Sequence, residues 1–291
     1  SLNRVIIRDA FAGVQLIKAL SYIGAFIALA PAIAPAFGGF IETHWGWRWI
    51  FGFLLIYSSV LTILAWFTLP ETHMERAKNP LSLKQVMINY SVIIKNQQFW
   101  ANVCCSGLAF AAMIACATIN PFLLENVLGK SAAAYGFWAM ISAVGFFIGM
   151  MSNSHIVTRI GTEKTLKLGN VIILAMAIVF IIAGSLKIVN LGVIIIPTIG
   201  VELGIALVFP NAFVGAITPF AAMTGTAGAL YGCLQIAITF ITSIVVAMLN
   251  GNSSFPMGLL LAVTAILGIG IYQLLKQAHW ETVSTPSLTA E

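Results

Sequence analysis

The chain has 291 residues, of which 60% are hydrophobic and only 8% charged, against roughly a quarter charged in a soluble globular domain. That is too little polar surface to cover the chain in water, which excludes a soluble domain and makes lipid the solvent. The net charge of +5 would suit a nucleic-acid binder only if the basic residues were gathered into one patch, and they are not. A membrane-crossing helix needs about 20 largely apolar residues. The apolar runs predict such helices at 19–41, 49–69, 99–121, 135–153, 169–187, 191–214, 225–249 and 255–275. Pro219 with Gly225, and then Asn250-Gly251-Asn252-Ser253-Ser254, supply the breaks in the last long run. Continuous apolar runs and the impossibility of an open sheet edge in lipid leave strands out. The fold class is therefore all-α and integral to the membrane, with about eight transmembrane helices and the bilayer as the first partner.

In the first span, Pro31 and Pro35 each remove an intrahelical hydrogen bond, and Gly38 and Gly39 remove side-chain bulk. The result is a kinked, close-packing helix suited to one bundle rocking against another, although Pro and Gly are also simply frequent in membrane helices. After the second span, the polar stretch Pro70 to Gln98 is longer than any other. Asn79-Pro80 resembles a helix start and Ser82 with Gln85 a capping box. Leu83, Val86, Met87, Tyr90, Ile93 and Ile94 then share one helical face, predicting an amphipathic helix along the cytoplasmic surface. A plain linker is the competing reading.

In the third span Asn102, Ser106, Met113 and Asn120 recur at steps of helical spacing, and in the seventh so do Tyr231, Gln235, Thr239 and Thr242. Such stripes either line a cavity for hydrophobic, weakly basic or neutral compounds or pack helix against helix. Packing is the expectation for Gly145 with Gly149 and for Gly200 with Gly204. Glu202 is the one acid near the middle of a predicted span. Placing it there costs about 2.5–3.5 kcal/mol on the insertion scale, so it is paired, protonated or facing water, and is a candidate to bind a proton or substrate. A shifted helix with Glu202 near an interface is the alternative.

Cys104, Cys105, Cys116 and Cys233 all lie in apolar runs without metal-ligand spacing and read as buried thiols. The chain has no G-x-S-x-G, no H-E-x-x-H and no phosphate loop, and His44, His73, His155 and His279 are scattered. An enzyme, a metal site and a bound cofactor are not expected. With the N-terminal side cytoplasmic, alternation leaves Arg4, Arg8, Lys18, Arg76, Lys78, Lys84, Lys95, Arg159, Lys164, Lys167 and Lys276 inside and only Arg48, Lys130 and Lys187 outside. This is a strong positive-inside bias with both ends cytoplasmic. It spreads the positive charge over loops facing anionic lipid and argues against nucleic acid as a partner.

The run Leu29-Ala30-Pro31-Ala32-Ile33-Ala34-Pro35-Ala36-Phe37-Gly38-Gly39 resembles the Pro/Gly-rich signature of the fifth helix in major facilitator antiporters. Trp45-Gly46-Trp47-Arg48-Trp49-Ile50-Phe51 is similar to the short W-R-x-x-F turn that follows it there. Arg4 to Arg8-Asp9 looks like the cytoplasmic end of the fourth helix in the bicyclomycin and chloramphenicol efflux (Bcr/CflA-like) subfamily. Pro210-Asn211-Ala212 and the run from Gly225 through Gly228 and Gly232 to Gln235 resemble that subfamily's tenth and eleventh helices. In the loop after the fourth span, Arg159, Gly161 and Lys164 match the superfamily's G-x-x-x-D-R-x-G-R-R/K motif, while Ser154 and Thr158 replace its first Gly and its Asp. A charge relay needing that Asp is not expected here. Ala30 likewise replaces the usual Gly before Pro31.

The resemblance implies a major facilitator fold in which this chain corresponds to helices 5–12 of a twelve-helix transporter. Residues 1–69 would hold the end of helix four with helices five and six, 70–98 the cytoplasmic linker, 99–275 the C-terminal six-helix bundle and 276–291 a cytoplasmic tail. Helices one to three and most of helix four would then be missing. It implies secondary transport in a bacterial inner membrane: efflux of small, mostly apolar drugs by proton antiport, with the proton gradient in place of a cofactor. Two alternatives stay open. One is uptake of a metabolite, although carboxylate uptake favours a cationic group within a span and none is present. The other is a non-transporting remnant or membrane interaction module.

Overall fold

The computed structural model describes residues 33–34, 36–68, 83–249 and 253–284, with backbone alone at 83–86, 221–222 and 276–284. Every regular element among them is helical. The first predicted span lies mostly outside these residues; its described end is α1, residues 36–45. Gly46 then adopts φ +84, a left-handed conformation that glycine takes without steric cost. Its N–H bonds Glu42 O at 2.9 Å while its own carbonyl accepts from Trp49 N at 3.1 Å. The chain thus breaks and restarts at the predicted tryptophan-rich turn. It continues as α2, Trp47–Thr68, a helix with no buried residue whose large apolar side chains suit a lipid-facing surface.

The predicted amphipathic segment is α3, Leu83–Ile94. Ile93 is buried and Tyr90 packs beside it against Phe99, Val103, Ala216, Phe220, Ala227 and Tyr231, whereas Met87 and Ile94 on the expected apolar face are exposed. Asn96 caps α4, Gln97–Phe122, accepting from Phe99 N at 2.9 Å. The sequence ends this span at residue 121, but the helix runs through Pro121 and closes in a π turn, Leu123–Val127. Helices in lipid tolerate proline because neighbouring groups satisfy the freed backbone.

Next come α5, Ala132–Ile160, and α6, Thr162–Ser185. Asn190 caps α7, Leu191–Ile217, by accepting from Val193 N at 2.9 Å. The predicted break at Pro219 is a 3-10 turn, Thr218–Met223, in which Phe220 leaves helical geometry. Beyond it lie α8, Thr224–Met248, which stops at an extended Leu249, and α9, which begins at Ser254 and runs to Ser284; the predicted break residues 250–252 lie outside the described residues. Seven of these helices, among the described residues, are long and apolar enough to cross a bilayer, six of them between Gln97 and Leu275. The expected six spans after the linker are all present.

Contacts group the chain into two compact units, residues 1–81 with 130–141 and residues 82–129 with 142–291. In the first, Gly39 lets α1 come close to the start of α5: an added Cβ would run into the Ala132 carbonyl, and Thr43 Oγ1 accepts from Ala133 N at 3.2 Å. In the second, α4 is the central helix, in contact with α7, α8 and α9. Small residues set the close crossings there. Gly169 on α6 and Gly204 on α7 meet backbone to backbone, each leaving no room for a Cβ beside the other's carbonyl. Gly145 and Gly149 on α5 lie against Ile199 and Leu203 of α7, and Gly200 lies against Met176 of α6. Lipid tails are as apolar as leucine, so such dispersion contacts, not water exclusion, hold the helices together.

Candidate functional site

Helix α7 has three working faces. At about 100° per residue, Ile199, Leu203 and Ala206 form the face that meets α5, and Gly200, Gly204, Leu207 and Val208 the face that meets α6. Thr198 and Phe209 lie on the face toward α4. Glu202 falls about 40° from Thr198 by the same helical spacing, between the α4 and α5 faces. It stands eleven residues from Leu191 and fifteen from Ile217, near the middle of the helix. Glu202 is half-buried and makes no hydrogen bond or ion pair among the described residues. The buried thiol of Cys116 on α4 is within its electrostatic reach.

One turn away on both helices, Asn120 donates from Nδ2 to Thr198 Oγ1 at 3.1 Å, and Thr198 donates to Ile194 O at 2.7 Å. Asn120 Oδ1 is buried without a partner among the described residues. Helices α4 and α7 run antiparallel here, since Gln98 Nε2 reaches Gly215 O at 3.1 Å at their other ends. Between these contacts, Phe209 of α7 packs on Phe110 of α4 and Phe146 of α5, with ring centroids 5.5 and 6.4 Å apart.

Helix α4 divides its polar stripe between neighbours. Asn102 is buried, donates to Gln98 O at 2.8 Å and fills the space beside Gly215. Ser106 is buried, bonds Val103 O at 3.2 Å and lies within hydrogen-bonding reach of the Tyr231 hydroxyl on α8. Met113 is half-buried and Asn120 buried on the α7 side. On α8, Gln235 is half-buried and its carbonyl accepts from the buried Thr239 at 2.9 Å; Thr242 bonds Ile238 O at 3.0 Å. Asn102, Ser106, Tyr231 and Thr239 are thus engaged in helix contacts and local bonds, while Asn120 meets Thr198 of α7 one helical turn from Glu202.

The motif residues fall elsewhere. Arg8, Asp9, Pro31 and Pro35 lie outside the described residues; Gly38 is half-buried with open space where a Cβ would sit, and Gly39 is the close contact to Ala132. Arg159 ends α5, and Gly161 at φ 83, ψ 162 makes the turn into α6 in a conformation essentially confined to glycine. Lys164 is exposed on the first turn of α6, where Glu163 and Lys167 pair at 3.1 Å. Thr158, in the motif's Asp position, bonds His155 O at 2.9 Å. Thr198 and the three phenylalanines escape the sequence reading. A lone threonine four residues before Glu202 is the signal that was available.

The family model of the Major Facilitator Superfamily matches residues 1–238. The chain is 25% identical over 285 residues to the bicyclomycin resistance protein homolog of Haemophilus influenzae, covering 96% of this chain and 70% of that protein. It is 28% identical over 270 residues to multidrug resistance protein D of Escherichia coli, covering 91% of this chain and 66% of that protein. It is 24% identical over 274 residues to a chloramphenicol resistance protein of Pseudomonas aeruginosa, covering 93% of this chain and 64% of that protein. The chain spans about two thirds of the length of these relatives. Its helical architecture and the family match agree: the chain belongs to the major facilitator superfamily.

Proposed function

We propose that the protein is a secondary active transporter that expels small, largely apolar drugs across a bacterial inner membrane in exchange for protons, with both ends cytoplasmic. The observation that carries this reading is Glu202, an acid near the middle of α7 with no partner among the described residues, in a chain whose relatives are named for drug resistance. An unpaired carboxylate at that depth is costly unless it takes up a proton or meets a cationic group. Glu202 is the proton-binding residue in this scheme, with the gradient as the only energy source and no organic cofactor. The polar and Met-lined α4 surface at Met113 and Asn120 offers substrate contacts beside it. Gly39, through its close approach to Ala132, belongs to the rocking machinery.

The test is drug accumulation in a bacterium stripped of its own pumps. Cells producing the protein should hold several-fold less chloramphenicol than cells carrying an empty vector, and a protonophore should erase the difference. Equal accumulation with and without the protein, across a panel of apolar drugs, would refute the efflux reading.

A further inference from the structure

The corner between α3 and α4 is fixed by hydrogen bonds. Asn96 N donates to Ile93 O at 3.1 Å, the Asn96 side chain accepts from Phe99 N at 2.9 Å, and the Trp100 indole donates to Ile94 O at 2.7 Å. Helix α4 is long and apolar enough to cross the bilayer from Gln97 onward. The end of α3 therefore lies at headgroup level, where tryptophan is favoured. Ile93 is fully buried and Tyr90 half-buried in a cluster with Phe99, Val103, Ala216, Phe220, Ala227 and Tyr231. Phe220, in the non-helical turn between α7 and α8, meets Phe99 edge-on with centroids 6.1 Å apart. Ile93 thus stands where α3, α4, the α7–α8 turn and the start of α8 meet. Helix α8 rests mainly on α4 and buries Ala227, Tyr231, Thr239 and Val246, of which the first two belong to this cluster.

The apolar arc of α3 is wider than the bundle covers. At about 100° per residue, Ile93 and Tyr90 sit near its centre, Met87 and Ile94 on one edge, and Val92 and Ile88 on the other. Those four edge residues are 70, 45, 49 and 45% exposed in that order. Ser91 and Lys95, both exposed, stand opposite Ile93. A broad apolar arc at headgroup level, with a lysine on the far side, suits acyl chains along its edges, while the Lys95 stem lets its ammonium stay in water. We infer that α3 is a membrane-seated clamp. Acyl chains of the adjoining leaflet take its exposed edges, and that seating holds Ile93 onto the start of α8. The inference stands whether or not the protein exports drugs.

The experiment uses the purified protein in nanodiscs of phosphatidylcholine and phosphatidylglycerol. A bimane is placed on Met87→Cys after the native cysteines are replaced by alanine. Lipid carrying a nitroxide high on its acyl chain should quench the bimane strongly, and aqueous iodide should quench it little. Quenching by iodide alone means water at that edge, and quenching by neither means another protein surface, such as a second copy; each overturns the inference. Hydrogen exchange then reads the clamp. Met87→Glu, which leaves Ile93 intact, should speed exchange of the amides at 224–231 about threefold or more, as should Ile93→Ala. Met87→Leu should leave them at the wild-type rate, and the amides at 201–208 of α7 should keep that rate in every variant. Unchanged exchange at 224–231 in Met87→Glu overturns the clamp, as does equal acceleration at 201–208. If Met87→Glu fails to assemble, Met87→Gln decides by the same criterion.

Discussion

The side-chain amide of Asn120 on α4 meets the hydroxyl of Thr198 on α7 at 3.1 Å, while the other polar atom of that amide is buried and unpartnered among the described residues. Thr198 is already engaged with Ile194 O at 2.7 Å, so the interhelical bond is one of several ways to satisfy these groups. Hydrogen bonds between membrane helices average about 0.6 kcal/mol in double-mutant cycles. A cycle of Asn120→Ala and Thr198→Val, read by unfolding in mixed micelles, should give a coupling near that value. A loss of transport much larger than the loss of stability in Asn120→Ala would mark the amide as functional. Proportionate losses would reduce it to packing.

The Gly169–Gly204 crossing gives a second expectation. A Cβ on Gly204 would stand 2.6 Å from the Gly169 carbonyl and 2.8 Å from Ile173, while one on Gly270 of α9 would meet nothing within 4 Å. Gly204→Val should therefore destabilise the second unit by about 1–3 kcal/mol through overpacking. Gly270→Ala should be neutral or stabilising by up to about 1 kcal/mol, since alanine is the better helix former. Thermal unfolding in detergent, monitored by loss of monodispersity, separates the two. Equal midpoints would mean that α6 and α7 can part at no cost.

Gly161 is constrained differently. Space around it is open, but its φ of 83 with ψ of 162 is a region essentially closed to side chains. Gly161→Ala should cost about 1–3 kcal/mol even though no atom is in the way, measured in the same unfolding assay. A substitution without effect would mean that the α5–α6 turn adopts another conformation.

These two glycines show what a sequence discloses and what it withholds. Gly145 with Gly149 and Gly200 with Gly204 are legible as packing residues from their four-residue spacing, but Gly169, which completes the α6–α7 crossing, has no small partner at that spacing beyond Thr165 and gives no such glycine signal. Glu202 is legible because charge is rare in lipid. Thr198 is not, because threonine satisfies itself on its own helix and is common in spans. The break at Pro219 follows from local chemistry, and the structure has it; α8 likewise stops at Met248, just before the Asn250 run. Pro121 misleads, since lipid and neighbouring helices override proline's tendency to stop a helix. Which stripe residues face a neighbour and which a seam depends on the register between α4 and α7, and no local pattern encodes that register.

Orientation is testable on two described loops. The charge bias puts Lys164 inside and Lys187, near the start of the α6–α7 connection, outside. Lys187→Cys should react with a membrane-impermeant maleimide in intact cells, and Lys164→Cys only after permeabilisation. Equal labelling of both before permeabilisation contradicts the assigned topology.

The coupling of drug to proton is the centre of the account. Inverted membrane vesicles containing the protein can be acidified inside by respiration and followed with a pH-sensitive dye. Addition of chloramphenicol should then release protons at once in wild type, with little or no release in Glu202→Gln at matched expression. Proton release of equal size in Glu202→Gln, or none in wild type with any drug that the protein exports, would contradict proton antiport through Glu202.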